Sequence, residues 1–165
     1  YFLIGFDRQR ADARRAALMA LLVTGVTAVG FLLGAGALLA RYGTLDVVAL
    51  AGLVEPGPET TAALALIAVA ALAKSAQAPF HFWLPRAMAA PTPVSSYLHS
   101  AAMVAAGVYL LARVAPLFEA APVVREGMVV VGFASMATGG VLALASDEFK
   151  RVLAYSTIAQ YGYVV

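Results

Sequence analysis

Residues Ala16 to Ala40 read "AALMALLVTGVTAVGFLLGAGALLA", 25 positions without one charged side chain. A helix crossing the hydrocarbon core of a bilayer, ~30 Å thick, needs about 20 mostly apolar residues. This run meets that length by itself, and its glycines, poor helix formers in water, permit close helix packing in lipid. Composition points the same way. Charged residues make up only 12% of the 165 positions, about half the usual fraction of a soluble domain, ~25%. Mean hydropathy is +0.87. A net charge of +2 is too small to imply a nucleic-acid surface. The absence of cysteine excludes thiolate metal sites and disulfides. No segment alternates apolar and polar residues as a half-buried strand does, so the class is all-α.

Four further apolar runs follow. The second span is expected over 60–78, where Pro79 should break it, with a short half-helix running on to residue 90. The third is expected over 94–111, the fourth over 127–145 and the fifth from residue 152 to 165. The 41–59 segment reads as a loop with a short interfacial helix over 45–53. The basic residues sort by end, as topology requires. Arg8, Arg10, Arg14, Arg15, Arg86, Lys150 and Arg151 fall on one side of a five-span path, expected to be cytoplasmic, against Arg41, Arg113 and Arg125 on the other. The sequence opens without methionine and closes inside an apolar pattern, so an internal stretch of a longer multi-pass protein is expected, without a cleaved signal peptide.

Lys74 stands outside this sorting. It ends fourteen residues, Thr60 to Ala73, that carry no other charge, which places it ~21 Å along a helix. A lysine at the centre of a membrane helix costs about 2.5–3.5 kcal/mol unless it is partnered or snorkels to the headgroups. Snorkelling is the plain reading. Against it, no Asp, Glu, Lys or Arg follows Lys74 as far as Leu84, and a proline break in lipid is tolerated only beside protein or water. Broken helices of that kind mark ion sites in transporters. If the helix persisted, Lys74, Gln77, Ala78 and His81 would share one stripe. No acid lies inside the expected spans, so a counter-ion for Lys74 must come from elsewhere.

His99, inside the third span, has a titration range suited to proton relay; a neutral imidazole hydrogen-bonded between helices is the competing reading. His81, in the aromatic "PFHFW", reads equally as an interfacial anchor. Lys150 is by default a determinant of topology. Ser135, Thr138, Ser156, Thr157 and Gln160 read as hydrogen-bonding glue between helices. No metal site and no cofactor are expected, and there is no phosphate loop, catalytic triad or carboxylate pair.

Two longer stretches carry a resemblance. "KSAQAPFHFWLPRAMAAPTPVSSYLHSAAMVAAGVYLLAR", Lys74 to Arg113, and "DEFKRVLAYSTIAQYGY", Asp147 to Tyr163, resemble in order and spacing the two signatures of the antiporter-like membrane subunits. These occur in respiratory complex I, membrane-bound hydrogenases and Mrp-type sodium/proton antiporters. The "FHFWLP" form looks closest to the large A-type component of the Mrp antiporters. The resemblance implies about fourteen helices in two inverted five-helix repeats, each with one broken helix, of which residues 1–165 would supply the sixth to tenth. It matches Lys74 to the lysine of the first broken helix, whose glutamate partner would lie before Tyr1, His99 to a relay histidine, and Lys150 to a lysine at the foot of the tenth helix. Ala105 departs from the Mrp pattern, which has a lysine there.

The expectation is therefore a proton- and cation-translocating subunit of an Mrp-type Na⁺/H⁺ antiporter, with Lys74 as switching cation, His99 as relay, Pro79 as the break, and Gln77, His81 and Lys150 as secondary candidates. Its partners would be the lipid bilayer, other membrane subunits, protons and sodium, with no nucleic acid, in a bacterial or archaeal inner membrane. The alternatives are a complex I or hydrogenase subunit driven by redox chemistry, and a scaffold that has lost transport, to which Ala105 points.

Overall fold

The structure, a computed structural model, describes residues 1–7, 9–99 and 103–165, with His99 described by its backbone alone. The described residues form helices and turns and no strand. Helix α1 spans Ala11–Tyr42 and ends at Gly43, whose φ of 72° is left-handed and whose N–H closes the last turn on the Leu39 carbonyl. Only a residue without Cβ enters that conformation freely. Helix α2 (Val47–Leu53) is capped by Asp46, whose carboxylate accepts from the Val48 N–H at 3.0 Å. Helix α3 (Pro58–Lys74) starts with proline in its first turn, where the ring removes a donor that no helical carbonyl would meet.

After α3 the chain passes a 3₁₀ turn at Phe80–Phe82 and short α4 (Trp83–Ala87), then α5 (Thr92–His99) and α6 (Ala105–Val114). A second 3₁₀ segment, Ala115–Ala120, leads to α7 (Pro122–Leu144) and α8 (Phe149–Val164). Two differences from the expected spans matter. The second helix stops at Lys74, not near Ala78. Within the third expected span, 94–111, Met103 and Val104 form a turn before α6.

Among the described helices, α1 and α7 are long and apolar enough to cross a membrane, with mean hydropathy 2.3 and 1.8 over their best windows. Less than a quarter of either window is buried within the chain. The core helix of a soluble protein would be buried on most faces. Here Leu22, Val26, Leu33, Val130, Phe133 and Val141 all point outward, as helices facing lipid or further helices do.

Small residues set the closest approaches. On α7 a Cβ at Gly139 would lie 2.8 Å from the Ala159 nitrogen of α8, so only glycine allows these backbones to touch. Two apolar clusters result. One gathers Leu64, Ile67, Leu111, Phe118 and Met128 around α3. The other gathers Trp83, Leu84, Leu98, Ala154 and Ile158 around α4. The end of α3 lies where they meet.

Candidate functional site

The last turn of α3 closes without proline. Ser75 caps it, and Ala76 turns left-handed at φ 54°. The Ala76 N–H then reaches the Ala73 carbonyl at 3.2 Å, and the Gln77 N–H reaches Leu72 O at 2.9 Å. This pair of bonds is the Schellman ending, which usually places glycine where Ala76 stands. Pro79 follows the break and lies outside α3, so the helix does not end because proline removed a donor from it. The shared stripe of Lys74, Gln77, Ala78 and His81 required an unbroken helix and is not formed.

Side chains of the break itself, Trp83 and two later helices add further bonds. Trp83, fully buried, donates its indole N–H to Ala73 O at 3.0 Å. The Ser75 hydroxyl donates to Ala71 O at 2.8 Å. Gln77, also fully buried, donates its amide to Ser75 O at 3.0 Å and to the Ile158 carbonyl of α8 at 3.4 Å. The Ala78 N–H donates to the Ser135 hydroxyl of α7 at 2.8 Å, and that hydroxyl donates to Val131 O at 2.7 Å. From the remaining side, α6 presses in through Gly107, where any Cβ would run into the Ala71 carbonyl and sit 2.8 Å from the Ser75 nitrogen.

Beside these bonds three side-chain groups stand out. Lys74, the last residue of α3, is half-buried, and no described residue bonds its ammonium. The side-chain oxygen of Gln77 is buried and accepts no hydrogen bond. The Nδ1 of His81, in the 3₁₀ turn, is likewise buried without a partner among the described residues. The unwound segment is therefore held by several backbone bonds and leaves these side-chain groups without a partner among the described residues.

Lys150, at the start of α8, donates to Ala90 O at 3.1 Å and so ties the second signature stretch to the first. A groove of about 1240 Å³ lies at this end, lined among others by Arg10, Arg15, Arg86, Lys150, Arg151 and Tyr155. It collects the three basic segments that the out-and-back path placed on one side. His99 closes α5, and its side chain lies outside what is described. Ala105 opens α6, half-buried. Sequence reasoning missed Trp83 and Ala76, and it saw Ser135 only as generic glue. No local signal marks them, because each acts on a backbone group of the unwound stretch, two of them across a long sequence separation.

All-helical architecture and outward apolar faces define a membrane protein. Residues 1–165 match the family described as NADH:quinone oxidoreductase/Mrp antiporter, transmembrane, and the chain belongs to that family. It is 44% identical over 170 residues to the NADH-quinone oxidoreductase subunit L of Pseudomonas aeruginosa, covering 99% of this chain and 28% of that protein. It is 40% identical over 167 residues to NADH-ubiquinone oxidoreductase chain 5 of Metridium senile, covering 100% and 28%. It is 41% identical over 170 residues to the A/B component of a probable K⁺/H⁺ antiporter of Rhizobium meliloti, covering 99% and 17%. Among solved structures, a chain of the membrane-bound sulfane sulfur reductase, an archaeal respiratory membrane complex, superposes with a TM-score of 0.86 at 27% identity, over 97% of this chain and 34% of that one. The chain thus spans between about a sixth and a third of these proteins.

Proposed function

We propose that this chain forms part of a proton path in an antiporter-like subunit, with Lys74 as the group that gains and loses the proton. The observation that carries this reading is the position of Lys74. An ammonium without a partner among the described residues ends an apolar helix, at a break held by bonds from Trp83, Gln77 and Ser135. An ammonium in that place is open to a carboxylate that moves toward it or away. His99, one helix further along, is the proposed relay, and His81 and Lys150 are secondary members. Pro79 keeps the segment after the turn out of helical register.

The exchange we propose is of protons for a monovalent cation, sodium in an Mrp-type antiporter built from several membrane subunits in a bacterial or archaeal inner membrane. The test is Lys74→Ala in the full-length subunit within its complex. Proton flux into vesicles is expected to fall about 10²-fold, the scale of a lost acid–base group. Unchanged flux removes Lys74 from the path. A second reading, a proton-pumping subunit of a redox-driven complex, is favoured by the 40% and 44% identity to two quinone oxidoreductase subunits, level with the antiporter relative. Flux that needs quinone reduction supports it; flux driven by an imposed sodium gradient alone supports the antiporter.

A further inference from the structure

Gln77 presents an acceptor that no donor fills, and its surroundings restrict what that donor is. The orientation of the amide is set, because its nitrogen faces two carbonyl oxygens, Ser75 O at 3.0 Å and Ile158 O at 3.4 Å. Turning the amide over would put oxygen against oxygen twice. The oxygen that remains is buried, in a residue 0% exposed. Another helix or subunit docking on the surface does not reach an atom already wrapped by this chain. The donor is therefore a group that reaches this atom inside the fold, a side chain of this chain or a buried water, and buried acceptors left permanently unpaired are rare.

Among the cationic side chains near the break, Lys74 is the one with no bond to any described residue. It lies three positions before Gln77, across the left-handed turn at Ala76. The Schellman ending folds Gln77 back toward the last turn of α3 through its N–H to Leu72 O, so the turn returns the glutamine toward the helix that carries the lysine.

We propose that the side-chain carbonyl of Gln77 is a second resting place for the Lys74 ammonium, taken up when the lysine turns inward from its half-exposed position. Gln77 is then a positioning residue. It accepts a hydrogen bond from the charged lysine and carries no proton itself, and its other end, on Ile158 O, links the lysine's inward position to α8. This rests on the reading of Lys74 as the proton-carrying group.

The experiment uses two substitutions in the full-length complex, with flux measured per assembled complex. Gln77→Leu removes the acceptor and the amide donors together, and flux is expected to fall about tenfold, the scale of a lost hydrogen bond to a charged group. In Gln77→Glu the side chain keeps an oxygen acceptor for the Lys74 ammonium, as carboxyl or as carboxylate, and loses the paired amide donors. At least half of the wild-type flux is expected. If Gln77 were only a clip between α3 and α8, the glutamate variant would fall as far as the leucine variant, and that result overturns the proposal. So does wild-type flux in Gln77→Leu. Should the leucine variant not assemble, the infrared carbonyl band of the Gln77→Glu carboxyl decides, since it shifts on adding Lys74→Ala if the two groups meet. An unmoved band overturns the proposal. Should Lys74→Ala alone leave flux unchanged, the underlying reading fails; should it abolish flux while Gln77→Leu and Gln77→Glu both transport normally, only the role of Gln77 fails.

Discussion

At its Pro58 end, α3 meets α1 through pairs that leave nothing over. Arg41 and Glu59 form an ion pair, the Tyr42 hydroxyl shares a 3.0 Å hydrogen bond with Thr60, and the Glu55 N–H donates to that same hydroxyl at 3.3 Å. At its Lys74 end several backbone groups are also bonded, yet among the described residues one ammonium and one side-chain carbonyl have no partner. Both ends cap the same helix, so capping alone does not explain the second one. A terminus built only for stability pairs its side chains. A terminus that leaves a charge and a buried acceptor open bears a cost in stability that calls for another reason, and movement of a proton supplies one.

The sharpest way to break this contrast is to cut one group at each end. Lys74→Ala is expected to lower flux about 10²-fold, whereas Glu59→Gln, in an exposed surface pair, leaves flux at the wild-type level. Equal losses would mean that the two ends do not differ in function. Next in size is Trp83→Phe. It strips the indole donor from Ala73 O and leaves a buried carbonyl a partner short, with an expected cost of about 1–3 kcal/mol in unfolding of the detergent-solubilised protein. No change would show that the tryptophan does not hold the helix end. Thr60→Val deletes one hydrogen bond at the closed end and should cost about 1 kcal/mol with flux retained; lost flux would bring that end into the path.

The smallest effect is expected at the turn itself. Ala76→Gly relieves the left-handed strain of an L-residue, about 1 kcal/mol, and adds a similar entropy to the unfolded chain, so stability should change by less than ~0.5 kcal/mol. The same exchange inside α3, Ala68→Gly, should cost about 1 kcal/mol. Equal losses at the two sites would show that the left-handed turn is not how α3 ends.

Much of this was legible without coordinates, for a reason specific to lipid. A spanning segment satisfies its backbone within itself, so its length and apolarity are local properties. The long runs that became α1 and α7 were found, with ends moved by a few residues, as were the grouping of Arg10, Arg15, Arg86, Lys150 and Arg151 at one end and the odd position of Lys74. The break was located to within a few residues. Proline is the visible helix breaker, and Ala76, an ordinary helix former, carried no sign that it would turn left-handed. The turn at Met103 and Val104 before α6 was not visible at all.

By itself, then, the sequence determined an all-helical membrane chain, its out-and-back path and a lysine that does not belong in an apolar helix. Tertiary structure decided where that helix stops and which atoms around the lysine are left unpaired. The unwound stretch pairs partly through its own turn and partly with Trp83 and Ser135, while the Gln77 amide reaches the Ile158 carbonyl, groups that only folding brings to it.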